Sequence, residues 1–397
     1  MLKHSLFPLY LVSFAQLLAM LIWFNYSAIL PIIKKEWMLS PDESGLLLSA
    51  FQLGYVISVF VLGYLSDRIR PRLIFIVSAI IAGIGGLLFG LCADDFWSGF
   101  LFRMLAGIGL GGIYVPGLKY LSGVYPPNKR GKIFGIYVGA LVVGSGGALL
   151  CTSSFITFLG WREVVVITSV GAFIAAGMMF CYRIDPPLPE KPPKFSKVLL
   201  KSIINNKKLV KMNIAYTGHN WELYAFWGWI GPFMVYVTLL HGYSLPEAQV
   251  IGNLWGGLFI VIGGIGTWIG GELSDKVGRI GALKPLLAVG MICSLSFGWL
   301  ADIPYPVIVG VGIIYGITVV GDSPVYSAAI SELSPPHMIG LSLGIQQVLG
   351  YSITVISPSV FGGVLAFFES EALGWGAAFS ILALGSIVSL LILPKKL

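Results

Sequence analysis

The stretch Gly63-Tyr-Leu-Ser-Asp-Arg-Ile-Arg-Pro-Arg72 lies between two long apolar runs and returns later as Gly271-Glu-Leu-Ser-Asp-Lys-Val-Gly-Arg279. Asp67 and Asp275 are 208 positions apart. A second landmark keeps almost the same offset. Pro126-Pro-Asn-Lys-Arg-Gly131 answers to Pro335-Pro-His-Met-Ile-Gly340, 209 positions on, and each pair of prolines closes one apolar run before the next begins. Two landmarks at offsets one residue apart make the chain a duplicated half, and that repeat governs how the remaining segments are read.

Composition places both halves in a bilayer. Of 397 residues, 56% are hydrophobic and 11% charged, with a mean hydropathy of +0.88. Soluble domains carry about 25% charged residues, so a water-soluble globule is excluded. Apolar runs long enough to cross about 30 Å of hydrocarbon as helices can be placed twelve times. They cover 8–33, 44–66, 72–93, 97–119, 131–159, 163–183, 212–240, 246–270, 283–301, 304–331, 340–368 and 374–394. The first continues to Ile33 without a small-x-small cleavage site, so it reads as a span and not a signal peptide. Ser40-Pro41-Asp42-Glu43 predicts a capping box opening span 2, and Ser244-Leu-Pro-Glu247 repeats it before span 8. Cys92, Cys151, Cys181 and Cys293 sit in apolar runs without paired spacing and read as small core residues.

With the N-terminus on the cytoplasmic side, inner loops and tails hold twenty Lys and Arg against three outside, Lys34, Lys35 and Arg162. That bias fixes both termini as cytoplasmic. The net charge of +7 is spread over short loops, which gives no basic face for nucleic acid. The proline-rich, then lysine-rich, segment after span 6 predicts a linker at 184–211, between bundles at 1–183 and 212–397.

The repeated stretch resembles the signature loop of the major facilitator superfamily of transporters, Gly-x-Leu-Ser/Ala-Asp-Arg/Lys-x-Gly-Arg-Lys/Arg. Gly63, Asp67, Arg68 and Arg72 match in the first copy, where Arg70-Pro71 replaces the inner glycine, and Gly271, Asp275, Lys276 and Arg279 match in the second. The resemblance implies an all-α integral membrane protein, twelve transmembrane helices in two pseudo-symmetric six-helix bundles. An acid and several bases at the end of spans that must move predict a gating latch in each copy. The alternative is that these bases only fix topology.

Three spans carry ionisable residues that a bilayer tolerates only for a reason. Arg103 lies about six residues inside span 4, in an Arg-x-x-x-Gly-x-Gly pattern that also resembles the superfamily's, with Gly107 and Gly109. It is a candidate for binding or coupling, or else reaches headgroups or neutralises a buried acid. Lys119, near the inner end of the same span, is a weaker candidate because it can reach headgroups. In span 7, Glu222 falls near the midplane with His219 one turn away on the same face, and Phe226 and Trp229 continue the stripe as a possible aromatic wall or as plain packing. Asp322 in span 10 is followed by Pro324, which breaks the helix beside it, and the acid either serves the site or caps the last half-helix. Glu332, beyond the span, reads as solvated.

No His-Glu-x-x-His, Cys-x-x-Cys, Walker loop or Gly-x-Ser-x-Gly occurs, so neither an enzyme nor a cofactor or metal centre is expected. The superfamily antiporters' Gly-Pro-x-x-Gly-Gly element is represented only by Gly144-Ser-Gly-Gly, which points away from drug antiport. The sequence therefore predicts a monomeric secondary transporter in the cytoplasmic membrane, moving a small organic anion in symport with protons. A cation or divalent metal held by His219, Glu222 and Asp322 is the alternative within transport, and a non-transporting sensor or assembly subunit is the alternative outside it.

Overall fold

The computed structural model describes residues 6–39, 41–155, 158–188, 201 and 203–397. Among them there is no strand. The helices are α1 (Phe7–Met20), α2 (Asn25–Glu36), α3 (Pro41–Leu65), α4 (Pro71–Cys92), α5 (Phe96–Leu110), α6 (Tyr114–Val124), α7 (Arg130–Phe155) and α8 (Trp161–Cys181). After the linker follow α9 (Lys207–Leu240), α10 (Leu245–Val277), α11 (Arg279–Phe297), α12 (Tyr305–Gly321), α13 (Ser323–Leu333), α14 (Ile339–Thr354), α15 (Ser357–Phe367), α16 (Glu371–Ser380) and α17 (Ala383–Ile392). Among the described residues, ten helical stretches are long and apolar enough to span a bilayer, and the shorter apolar helices Phe7–Met20 and Ser49–Leu65 bring the segments to the expected twelve.

Several expected spans are pairs of helices. Span 4 is α5 and α6, parted at residues 111–113, and span 10 is α12 and α13, parted at Asp322. Ile113 and Asp322 are 209 positions apart, so both halves break at the repeat-equivalent place. Most of the expected linker, together with Ser40 of the first capping box, lies outside the described residues. The second box is formed: Glu247 accepts from the Ser244 amide at 3.0 Å, and Ser244 receives the reciprocal bond. Three of the four cysteines, Cys92, Cys151 and Cys181, are exposed and only Cys293 is buried, which corrects the reading of those three as core residues. Thiols are apolar enough to face lipid as readily as protein.

The contact pattern divides the chain into two compact units. One comprises 1–127, 140–194 and 334–348, where α4 packs against α5 and α8, and α3 against α5. The other comprises 128–139, 195–333 and 349–397, where α9 packs against α10 and α17, and α10 against α12. The starts of α7 and α14 thus belong to a different unit from most of the neighbouring chain.

Glycine makes those assignments possible. A Cβ on Gly63 would come 2.8 Å from the Gly340 carbonyl, and one on Gly271 would overlap the Gly131 carbonyl. The two signature stretches then turn differently. Gly278, at φ 81 and ψ 159, ends α10 in a conformation that is essentially restricted to glycine, while Arg70 sits at φ −53 and ψ 118 with Pro71 starting α4. Replacing Gly271 by Leu is expected to destabilise the protein by about 1–3 kcal/mol. The thermal unfolding midpoint in detergent checks this; an unchanged midpoint would mean the backbones can separate there at no cost.

Candidate functional site

Both signature acids sit on the first amides of a helix. Asp67, fully buried beyond the end of α3, accepts from the Gly340 and Leu341 amides at 3.0 and 2.9 Å, at the start of α14. Asp275, near the end of α10, accepts from the Gly131 and Lys132 amides at 3.0 and 2.7 Å, at the start of α7. A helix leaves its first amides unpaired and carries partial positive charge there, so a carboxylate satisfies both demands.

Each acid also has a base. Lys119 Nζ lies 2.6 Å from Asp67 and bonds the Pro336 carbonyl, which places it at the signature loop. Burial pushes the Asp67 carboxyl above its ordinary range, against the pull of Lys119 and the two amides. Arg279 contacts Asp275 at 2.5 Å and makes bonds of 3.3 and 2.6 Å to both oxygens of Glu332, so Glu332 is paired and not simply solvated. Arg72 forks onto Asp185 at 2.9 and 3.2 Å. Arg68 turns back over the Tyr64 ring at 3.4 Å, and Lys276 pairs with Glu272 at 3.2 Å, so neither joins the signature acid beside it.

The buried acids of the second unit form two groups. Glu222 on α9 is 3% exposed and accepts from Ser294 on α11 at 2.6 Å and from Ser386 on α17 at 2.5 Å. Ser294 continues to the Tyr315 hydroxyl on α12 at 2.7 Å. One turn away, His219 Nδ1 meets Asp322 Oδ1 at 2.8 Å, both residues buried. This close approach is off the line of a hydrogen bond, and His219 Nε2 has no partner. The Asp322 carbonyl accepts from Val325 and Tyr326 at the start of α13, while its carboxylate makes no such bond among the described residues. Helix breakage at Asp322 therefore aims the carboxylate at His219 instead of using it as a cap.

Phe226 packs its ring 4.4 Å from that of Tyr315, beside the Glu222 hydroxyl chain. Trp229 leaves the stripe: its indole donates to the Pro358 carbonyl at 2.9 Å and its ring stacks on Phe361 at 5.2 Å. The expected continuous aromatic wall is thus divided between a flank and a packing cluster. Among the described residues no three His, Cys, Asp or Glu side chains converge as metal ligands, although His219, Glu222 and Asp322 lie on neighbouring elements. Ser294 and Ser386 were not legible as site residues, since a serine in an apolar span announces nothing about what it faces.

In the first unit, Arg103 on α5 is 4% exposed, donates from Nε to the Leu47 carbonyl at 2.9 Å and lies over the Tyr26 ring at 4.3 Å. No described carboxylate pairs with it.

Twin acids on helix starts, duplicated with their glycines, are matched by a family model described as Major Facilitator Superfamily over residues 12–358. The chain belongs to this superfamily. It is accordingly a multi-pass membrane protein of a transporter family and not an enzyme. It is 25% identical to the probable sulfoacetate transporter SauU of Cupriavidus necator, covering 93% of this chain and 89% of that one. It is 24% identical to the hexuronate transporter of Bacillus subtilis, with 84% and 82% covered. In fold it is similar to the human organic anion transporter MFSD10 (TETRAN), with a TM-score of 0.80 at 15% identity over 97% of this chain and 98% of the other.

Asp67→Asn is predicted to cost about 3–5 kcal/mol, because Lys119 is left buried without its counter-charge. Much of that should return in Asp67→Asn/Lys119→Met. Denaturation of the two variants and wild type decides it: a single variant as stable as wild type, or a double no better than the single, defeats the assignment.

Proposed function

We propose that this protein is a secondary active transporter of the cytoplasmic membrane, moving a small organic anion with protons by alternating access. The observation that carries the reading is Arg103, a buried guanidinium with no carboxylate among the described residues. A buried charge is tolerated only with a partner, and a carried anion is such a partner. Relatives named for sulfoacetate and for hexuronate, both acids, support the choice of solute class.

Glu222 supplies the proton step. Its two hydroxyl partners can donate to the carboxylate or, by rotating, accept from the carboxylic acid, so the same cage accommodates both protonation states. His219 and Asp322 lie one turn away and form the adjoining polar group. The signature loops act as latches at the charged ends of the spans, holding the starts of α7 and α14 in one state and releasing them in the other.

Glu222→Gln resembles the protonated acid. In proteoliposomes it should keep anion binding and exchange of sulfoacetate or glucuronate while losing accumulation driven by a pH gradient, whereas Arg103→Ala should lower anion affinity. Binding lost in Glu222→Gln but intact in Arg103→Ala would transfer the site to a cation and reject the anion mechanism.

Topology has its own check. Cysteines at Ile69 and Val277, exposed positions at repeat-equivalent places, should both react with a membrane-impermeant thiol reagent in inverted vesicles and not in intact cells. Reaction from opposite sides would break the duplicated arrangement.

A further inference from the structure

The interior around Arg103 holds an excess of hydrogen-bond donors. Its single side-chain hydrogen bond among the described residues is the one from Nε, so the four N–H groups of its terminal nitrogens have no acceptor among those residues. Three aromatic faces surround the guanidinium carbon, Tyr26 at 4.3 Å, Phe51 at 5.2 Å and Phe89 at 5.8 Å. Ring faces stabilise a cation but do not replace a directed acceptor.

Tyr26 adds a second donor. The residue is fully buried, and its hydroxyl has no hydrogen-bond partner. Buried tyrosine hydroxyls usually find one. The Trp37 indole N–H is likewise unpartnered, in a ring 6.1 Å from the same Phe89. Glu36, the acid of α2, is engaged by Trp161 at 2.7 Å and Arg162 at 3.6 Å. Positive charge and orphan donors without a matching acceptor describe the complement of an oxyanion.

We propose that Arg103 and Tyr26 form an oxyanion subsite that receives the carboxylate or sulfonate group of the transported acid. Arg103 supplies the charge and a planar fork of N–H groups, and the Tyr26 hydroxyl supplies a further donor that orients the headgroup. Phe51 and Phe89 flank the guanidinium, so recognition falls on a compact headgroup, with the rest of the solute left to other contacts. This rests on the anion reading above and adds Tyr26 as a binding residue for the headgroup.

Tyr26→Phe isolates the hydroxyl, since it keeps the ring beneath the guanidinium. The test is thermal unfolding of the purified full-length protein with sulfoacetate, glucuronate or neutral glucose, for wild type, Tyr26→Phe and Arg103→Ala. Wild type should be stabilised by at least one of the acids and not by glucose. Tyr26→Phe should unfold without ligand at the wild-type midpoint or above it, because it deletes an unpartnered buried group, yet bind the acid about tenfold or more weakly. Unchanged acid affinity in Tyr26→Phe with binding abolished in Arg103→Ala would remove Tyr26 and leave the anion reading standing. A lowered ligand-free midpoint would show that the hydroxyl has a structural task and overturn the subsite. Failure of both acids to stabilise wild type would overturn the anion reading and the subsite with it.

Discussion

A carboxylate resting on the unpaired amides at the start of a helix is the constraint on which the described architecture turns. It occurs twice, at Asp67 with Gly340 and Leu341 and at Asp275 with Gly131 and Lys132. In hydrocarbon every backbone polar group must be satisfied within the protein. Near the ends of spans that demand becomes an opportunity, because one acid can satisfy two amides and their partial charge together. Both acids need close approach of their helix to the other, which is why glycine precedes each by four residues. Their bases differ: Lys119 comes from a following span, whereas Arg279 comes from the same signature stretch. Duplication has preserved the geometry while allowing the counter-charge to change its source.

The same economy governs the buried acids. Glu222 has no base in contact and is solvated instead by two hydroxyls from separate helices, a substitute for water that survives a change of protonation. Asp322 takes the opposite course and meets a histidine directly. The two acids stand close in the fold yet have distinct environments, hydroxyls around one and an imidazole beside the other.

Much of this architecture is legible in the sequence, because apolar length and a repeated loop are long-range signals that do not depend on tertiary detail. The broken helix at Asp322 was readable from Pro324, and Arg103 and Glu222 declared themselves as charges inside apolar runs. What a residue touches was less accessible. Lys119 appears in sequence as a cation near a span end, and only packing shows it beside an acid from a loop 52 positions earlier. Trp229 shares a helical stripe with Glu222, but seven residues of helix carry it into a different aromatic cluster. Ser294, Ser386 and the orphaned Tyr26 hydroxyl belong to residue types too common in spans to be singled out by pattern.

Where Gly63 meets Gly340 and Gly271 meets Gly131, backbone atoms touch with no side chain between them. Contacts made by side chains can loosen by degrees, through successive rotamers. A joint of bare backbone has no rotamers with which to adjust, so its fit is set by the two helices alone. Any side chain added there would have to push the backbones apart, so the joint depends on both glycines.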